Sequence, residues 1–368
     1  MITVPAEYLI AANRPHAPRW RVSLRTPAGD MIGDYLPITG GSLSREWAMT
    51  PRTRAQVRMP TQMVPTLIDQ NLIPTGQRLR FEYAIEHFGQ WVVMADLDLV
   101  KSTISRPDSV WELEAVDQSA RIALDDTARG GWTEPSGTIA DGIRYIVRRT
   151  FPNAEFLITG PANTQQVPAN LKTDGDPWNA AVALATAAGS EVFMSGSERW
   201  CRVRPIPSVQ TGANDELTVG EGGTITRYDL KSEMAYNSVA LVYQSDTGAD
   251  TLRIGRWTDT RPNSPVALQR IGSHVVYRET RKANAAPSQV EADDAAAALG
   301  SRVAGRTRTP TIRHVSRPWL EPGDTIQVTY AGGPTELQMV ESVDISLDRT
   351  NIQTTRLRTD QYEMETPK

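Results

Sequence analysis

In the first third of the chain, hydrophobic and polar positions alternate. Trp20-Arg-Val-Ser-Leu-Arg25, Arg78-Leu-Arg-Phe-Glu-Tyr-Ala-Ile85, Trp91 to Val100 and Val110-Trp-Glu-Leu-Glu-Ala-Val116 each place apolar side chains on one face with a period of two, which predicts strands. Thr26-Pro-Ala-Gly-Asp30 and His87-Phe-Gly-Gln90 supply turns, and a short helix is expected near Met63 to Asn71. Sheets apolar on one side only pack as an antiparallel sandwich or barrel.

Between Thr127 and Val209 the period changes. Thr138 can cap a helix with Asp141 three residues on; Ile139, Ile143, Ile146 and Val147 share its face, Arg148 and Arg149 sit at the negative end of its dipole, and Pro152 stops it. Asp176 is placed to cap a second helix that starts at Pro177, runs through Ala180 to Ala188 and ends at Gly189, with Trp178, Val182 and Ala185 as its packing face. A strand follows each helix: Ala154 to Thr159, then Glu191 to Ser195 paired with Trp200 to Pro205. The pattern predicts a small α+β module.

Strands return after it, over Thr224–Leu230, Asn237–Gln244, Asp250–Trp257, His274–Thr280, Pro310–Ser316, Thr325–Tyr330, Thr335–Leu347 and Thr354–Thr359. One helix lies among them. Ser288 and Glu291 form a capping-box pattern ahead of an alanine-rich run, whose expected contacts are Val290, Ala297, Leu299 and Val303 against the C-terminal barrel. Three domains are expected: residues 1–126, an N-terminal β-barrel; 127–210, the α+β module; and 211–368, a C-terminal β-barrel with an inserted helix at about 288–304.

The two outer parts echo each other. Leu72-Ile-Pro74-Thr-Gly76, with a strand ending in Tyr83, matches Leu320-Glu-Pro322-Gly323, with a strand ending in Tyr330. In both, a turn, a long strand with internal acids and a last strand follow, reaching Asp117 in one case and Asp360 in the other. The shared order predicts a duplicated β unit.

Composition narrows the chemistry. The 368 residues are 39% hydrophobic and 22% charged, with net charge −4, so there is material for real cores and no global positive field for nucleic acid. No apolar run approaches the ~20 residues that span a bilayer, and the N-terminus lacks a signal-peptide pattern, so a soluble chain is expected. Met1 to Pro60 holds eight arginines (14, 19, 21, 25, 45, 52, 54 and 58) against Glu7, Asp30, Asp34 and Glu46, an excess that could face an acidic partner or be a solvated strand face. The single cysteine, Cys201, rules out an internal disulfide and falls on the same strand face as Val203, as a core residue does. His16, His87, His274 and His314 show no metal-binding spacing.

Asp96 and Asp98 share a strand face, as a glycosidase pair needs, or form a polar edge. Asp174-Gly175-Asp176 is a cap and turn rather than a calcium loop, and Gly220-Glu-Gly222-Gly223 lacks the lysine and helix of a phosphate loop. Trp20, Trp91, Trp111, Trp200 and Trp257 lie in strand patterns, where core duty is commoner than a sugar groove. No catalytic, cofactor-binding or metal residue is assigned, and no cofactor.

The order of segments resembles the minor tail proteins of long-tailed actinobacterial phages and, through them, the baseplate-hub or tail-associated proteins of phages. Four stretches carry the resemblance over most of the chain: Leu72–Gly76 to Ser119; Asp176-Pro-Trp-Asn-Ala180 through Gly189–Phe193 to Arg202–Pro205; Tyr236-Asn-Ser-Val239; and Trp319-Leu-Glu-Pro-Gly-Asp324 to Leu347. The resemblance implies a mainly β fold, two tail-tube-like β-barrels or sandwiches flanking the α+β module, and a structural virion protein without catalytic residues. It implies a homotrimeric hub at the distal end of the tail, made in the host cytoplasm. Its partners would be the tail tube, distal-tail, tape-measure and tip or fibre proteins, with DNA passing through its lumen and no stable binding to nucleic acid or membrane. The chain stops at Lys368, so a spike, fibre or lytic activity is expected on another protein. The alternatives are a distal-tail or receptor-binding module for host-wall carbohydrate, and a hydrolase using Asp96 and Asp98.

Overall fold

A computed structural model describes residues 1–13, 16–64, 74, 76–86, 88–105, 108–125, 136–167, 176–207, 209, 212–219, 223–232, 236–244, 251–262, 264, 266–282, 287–303, 308–330, 335–348, 350 and 352–358. The strands are β1 (Pro18–Arg25), β2 (Met31–Tyr35), β3 (Gly40–Glu46), β4 (Thr53–Pro60), β5 (Arg78–Ile85), β6 (Val92–Ser105), β7 (Val110–Val116), β8 (Phe156–Ile158), β9 (Ser190–Met194), β10 (Cys201–Pro205), β11 (Asp215–Thr218), β12 (Ile225–Ser232), β13 (Ser238–Gln244), β14 (Thr251–Thr258), β15 (Val276–Lys282), β16 (Arg308–Val315), β17 (Thr325–Thr329), β18 (Thr335–Ser346) and β19 (Ile352–Arg358). The helices are α1 (Ala6–Ala11), α2 (Ser119–Ala123), α3 (Ile139–Thr150), α4 (Pro177–Ala187), α5 (Leu268–Ile271) and α6 (Gln289–Val303). The fold is mainly β with an α+β insertion, as the pattern predicts. Of the helix expected near Met63 to Asn71, only a 3-10 turn at Thr61–Met63 is described, and 65–73 lie outside the described residues.

Thirteen strands join in one sheet, ordered β12-β16-β19-β18-β3-β4-β7-β6-β5-β1-β2, with β17 on β18 and β11 on β17. Their pairings do not trace a closed barrel; the two outer parts meet edge to edge where β18 pairs antiparallel with β3. One hydrophobic core, running from Val22, Leu43 and Val57 to Ile312, Val343 and Leu357, lies under both. α1 plugs it with Tyr8, whose ring meets Tyr83 and Trp319 edge-on.

The echo in the sequence is an echo in the sheet. β12-β16-β19-β18 and β3-β4-β7-β6 are two runs of four antiparallel strands in the same order. Gly76 and Gly323 both take positive φ, +97° and +92°, two residues before a strand, a conformation that favours glycine. Arg78 then pairs with Asp98 and Asp98 with Val116; likewise Thr325 pairs with Met339 and Met339 with Arg358. Each long strand is bulged just beyond that residue, between Leu99 and Lys101 and between Val340 and Ser342.

The α+β module has its own core, in which α3 and α4 cover the β8-β10-β9 sheet. Thr138 and Asp141 form the reciprocal capping box of α3, and Asp176 accepts from the Trp178 and Asn179 amides at the start of α4. Gly189, at φ +61°, follows the end of α4. Trp178 and Ala185 are buried, with Val182 packed beside them.

The described residues between 236 and 303 form a third packing unit rather than a flank of the large sheet: α6 lies on β14 and β13 of the three-stranded β14-β13-β15 sheet. Helical spacing puts Ala292, Ala296, Leu299 and Val303 on its buried side. Leu299 and Val303 are buried as expected, whereas Val290, in the first turn, points away and is exposed and Ala297 is only half-buried, so those two are replaced on the contact face by Ala292 and Ala296.

Candidate assembly interface

The residues that sequence reading raised for chemistry hold the fold together. Asp96 and Asp98 do lie on one strand face, but both are buried and ion-paired: Arg199 reaches Asp98 at 2.7 Å and Asp96 at 3.5 Å, Arg121 reaches Asp98 at 3.4 Å and Arg78 reaches Asp96 at 3.7 Å. Arg199 has φ +63°, and the Gly196 carbonyl of the same loop accepts from the Asp96 amide, so the β9–β10 loop is clamped to β6. A second clamp is centred on Glu191, which accepts from Trp47 and from Arg204 (2.7 Å) and pairs with Arg52 (3.4 Å). Arg52 also lies 4.0 Å from the centre of the Phe193 ring. A cavity of about 170 Å³ beside this clamp is lined by Trp47, Trp178 and Phe193.

Part of the arginine excess of the first sixty residues is spent on the fold itself, two of the eight side chains being buried and two more ion-paired. Arg45 is buried and donates to the carbonyls of Pro318, Leu320 and Met94; Arg52 is buried; Arg21 is paired with Glu82 and Arg58 with Glu112. Patterning could not find this, because an arginine at an inward strand position reads as a register error until the carbonyls opposite it are known. Cys201 is buried on the Val203 face, and burial pushes its thiol up to about 12. The eight described tryptophans are buried or half-buried and form no exposed row. Among the described residues no cluster of three His, Cys, Asp or Glu could hold a metal, and no helix is long and apolar enough to cross a membrane.

What the fold leaves open is backbone. β6 pairs with β5 through Asp98 and with β7 from Asp98 onward, so beyond the bulge its β5-side edge, Val100 to Ser105, has no strand beside it among the described residues. β12 pairs with β16 along one side, and among the described residues its other side holds only an isolated bridge from Ile225 to Val219, leaving Tyr228 to Ser232 without a strand beside them. At the equivalent positions of the other run both edges are filled, since β18 beyond its bulge and β3 pair with each other, Val343 with Arg45, Asp344 with Ser44, Ile345 with Leu43 and Ser346 with Ser42. Matching the two runs strand by strand makes Ile104 the counterpart of Ile345 and Leu230 the counterpart of Leu43. Ile345 and Leu43 are buried, whereas Leu230 is 45% exposed. An exposed row of amides and carbonyls with an apolar side chain is a docking edge.

Solved structures with this architecture are phage tail and secretion-system components, and the chain carries the fold seen in that class. A tail protein from Neisseria meningitidis MC58 is 14% identical, with a TM-score of 0.62 over 93% of this chain and 97% of that one. The 43 kDa tail protein of prophage MuSo2 from Shewanella oneidensis is 12% identical, with a TM-score of 0.61 over 92% and 98%. The E. coli c3393 protein, a type VI secretion component described as similar to the T4 tail proteins gp27 and gp5, is 11% identical, with a TM-score of 0.52 over 93% and 77%. No family model and no curated protein matches the sequence. At these identities the likeness is one of fold, and it does not carry the actinobacterial origin.

Proposed function

We propose that this chain is a structural hub of a phage tail, which assembles as a homotrimer, ends the tail tube at its distal side and docks tip or fibre proteins. The observation that carries the reading is the pair of open edges. β6 of one copy and β12 of the next repeat, between copies, the β18–β3 junction that already exists within one copy. The register of that junction sets Thr103 opposite Lys231, Ile104 opposite Leu230 and Ser105 opposite Asp229. Leu230 would then be covered as Leu43 is. Three copies alternate the two runs six times and close without a free edge, presenting a nearly sixfold face from a threefold assembly. Strands spaced ~4.8 Å apart make such a ring roughly 37 Å across before strand tilt widens it.

The role is structural rather than catalytic: the paired carboxylates are locked in ion pairs. The full-length likeness to tail proteins agrees with it. The test is mass in solution and on the particle, together with a chain carrying Ile104→Cys and Leu230→Cys. Since Cys201 is buried, oxidation should link copies through the new pair alone. Three copies linked in a ring are expected; a monomer, or six copies around the axis, would overturn the reading.

A further inference from the structure

The third packing unit is inserted between β12 and β16 and tied to them by two short connections. Tyr236 follows Ser232, the last residue of β12, by four positions, and Arg308, the first of β16, follows Val303 by five, so the spans are at most ~14 Å and ~18 Å. Ser232 and Arg308 are sheet partners, and Val303 packs in one core with Val239, so both connections enter at the start of β13. That end of the unit carries three exposed apolar side chains. Tyr236 lies against Tyr277, with ring centres 5.2 Å apart; Val276, across from Ser238, is 46% exposed; and Ile271 ends α5. Asn237 donates to the Ser273 carbonyl at 2.8 Å, and Ser238 Oγ lies 2.7 Å from His274 Nδ1, which holds the segment after Ile271 beside them.

We infer that this apolar end docks on the neighbouring copy, against Val100 and against Leu124 at the end of α2, as a second contact between copies. The inference rests on the hub reading, because it starts from the β6–β12 pairing. The β18–β3 junction within one copy shows the path. There the chain leaving β3 crosses the bulge of β18: the Trp47 amide donates to the Glu341 carbonyl at 3.0 Å, and the Trp47 ring lies 5.6 Å from the Arg358 guanidinium at the end of β19. Glu341 is the extra residue of that bulge, and its counterpart is Val100, the extra residue of the bulge in β6; the counterpart of Arg358 is Val116, the last residue of β7. In the ring, the chain leaving β12 of one copy therefore crosses Val100 of the next and heads for the end of its β7.

The receiving surface is apolar and bare. α2 starts three residues after Val116, and Arg121 on it reaches Asp98 at 3.4 Å, which holds the helix over this part of β6. Val100 is 44% exposed, and Leu124, the residue after α2, is 79% exposed, more than any other large hydrophobic side chain among the described residues. Apolar groups on both sides of one seam lose their contact with water together when the copies meet. The third unit also has a use for the contact. Its separate core is small, built on Val239, Leu241, Ala296, Leu299 and Val303, and a unit held by two short connections is oriented by whatever covers the end where they enter.

The test is a charge exchange across the seam in the full chain, read by mass photometry as the concentration at which the assembly dissociates. Leu124→Glu should raise that concentration at least tenfold, and so should Val276→Lys, because each sets a charge against an apolar surface. The two substitutions in one chain should bring it back to within threefold of wild type, since the carboxylate of one copy then faces the ammonium of the next. Both positions are exposed in a single copy, so circular dichroism of the dissociated chains should match wild type. Single variants that assemble as wild type does, or a double variant no tighter than the singles, would overturn this docking and leave the strand-edge ring standing. A wild type that does not assemble would overturn the hub reading and this inference together.

Discussion

Arg45 joins the two runs where they meet, and its removal should loosen both. The side chain is buried and its guanidinium donates to three backbone carbonyls, Pro318 at 2.7 Å, Leu320 at 2.9 Å and Met94 at 2.9 Å, one on the β6 side and two on the segment leading to β17. Each hydrogen bond from a charged donor is worth ~1.5–3 kcal/mol, so Arg45→Met forfeits roughly 4–9 kcal/mol of contacts. Against this, methionine carries no charge to bury, which returns several kcal/mol. The net loss is expected to be about 3 kcal/mol. Arg45→Lys should recover less than half of it, because an ammonium is one point and the three carbonyls lie around a planar fork. Urea unfolding followed by far-UV circular dichroism measures both. A shift in stability of Arg45→Met below about 0.5 kcal/mol, or full recovery by lysine, would refute the fork as the tie between the runs.

Two further outcomes are expected. His314 is buried; its Nδ1 donates to the Val315 carbonyl and its Nε2 accepts from Thr355, and burial lowers it from 6.5 to about 3. The unfolded chain therefore binds the extra proton first, so the stability this ring contributes is complete above pH ~6.5 and is lost as pH falls toward 3, by up to ~1.4 kcal/mol per unit. Urea midpoints of wild type should fall between pH 7 and pH 5, and those of His314→Gln should fall less; equal slopes would refute it. Trp178→Ala should cost roughly 3–5 kcal/mol, since the ring lies in the core of the α+β module. A melting temperature unchanged from wild type would place the ring outside that core.

The starts of α3 and α4 were legible in the sequence because capping is local, whereas the short helices α1, α2 and α5 carry no such cap and were not read. The contacts that define the α3 cap, Thr138 to Asp141, and the α4 cap, Asp176 to Trp178 and Asn179, lie within three residues. Most strands were legible through period two, though β2, β3, β4 and β11 were not read, and the echo of Pro74-Thr-Gly76 in Pro322-Gly323 was visible because a positive φ before a strand selects glycine. The partners of strands were not. β18 and β3 are some three hundred residues apart in the chain, and nothing near Leu43 or Ile345 announces the pairing. The clamps were hidden too: Arg199 and Glu191 meet Asp98 and Arg52 across domains, where sequence shows only unremarkable surface charges. Val290 was misplaced because alanine contacts beside it carry too weak a hydrophobic signal to fix the face of α6.

The same comparison explains why the ring reading calls for three copies of a double unit rather than six of a single one. The two runs share strand order, turn glycines and bulges, yet they differ at the positions that receive the α+β module. Asp96 and Asp98 on β6 correspond to Leu337 and Met339 on β18, which offer no carboxylate to the guanidinium of Arg199 or Arg121. Met339 is instead fully buried. One run therefore carries a module clamped to its long strand while the other cannot, and two runs that are no longer interchangeable can alternate around an axis only as a linked pair. Exchanging the carboxylates for their counterparts, Asp96→Leu with Asp98→Met, should release the β9–β10 loop, read as faster amide exchange over residues 195–200, while the β12 and β6 edges still pair between copies. A ring that falls apart in that variant would mean that the module, and not the strand edges, holds the assembly together.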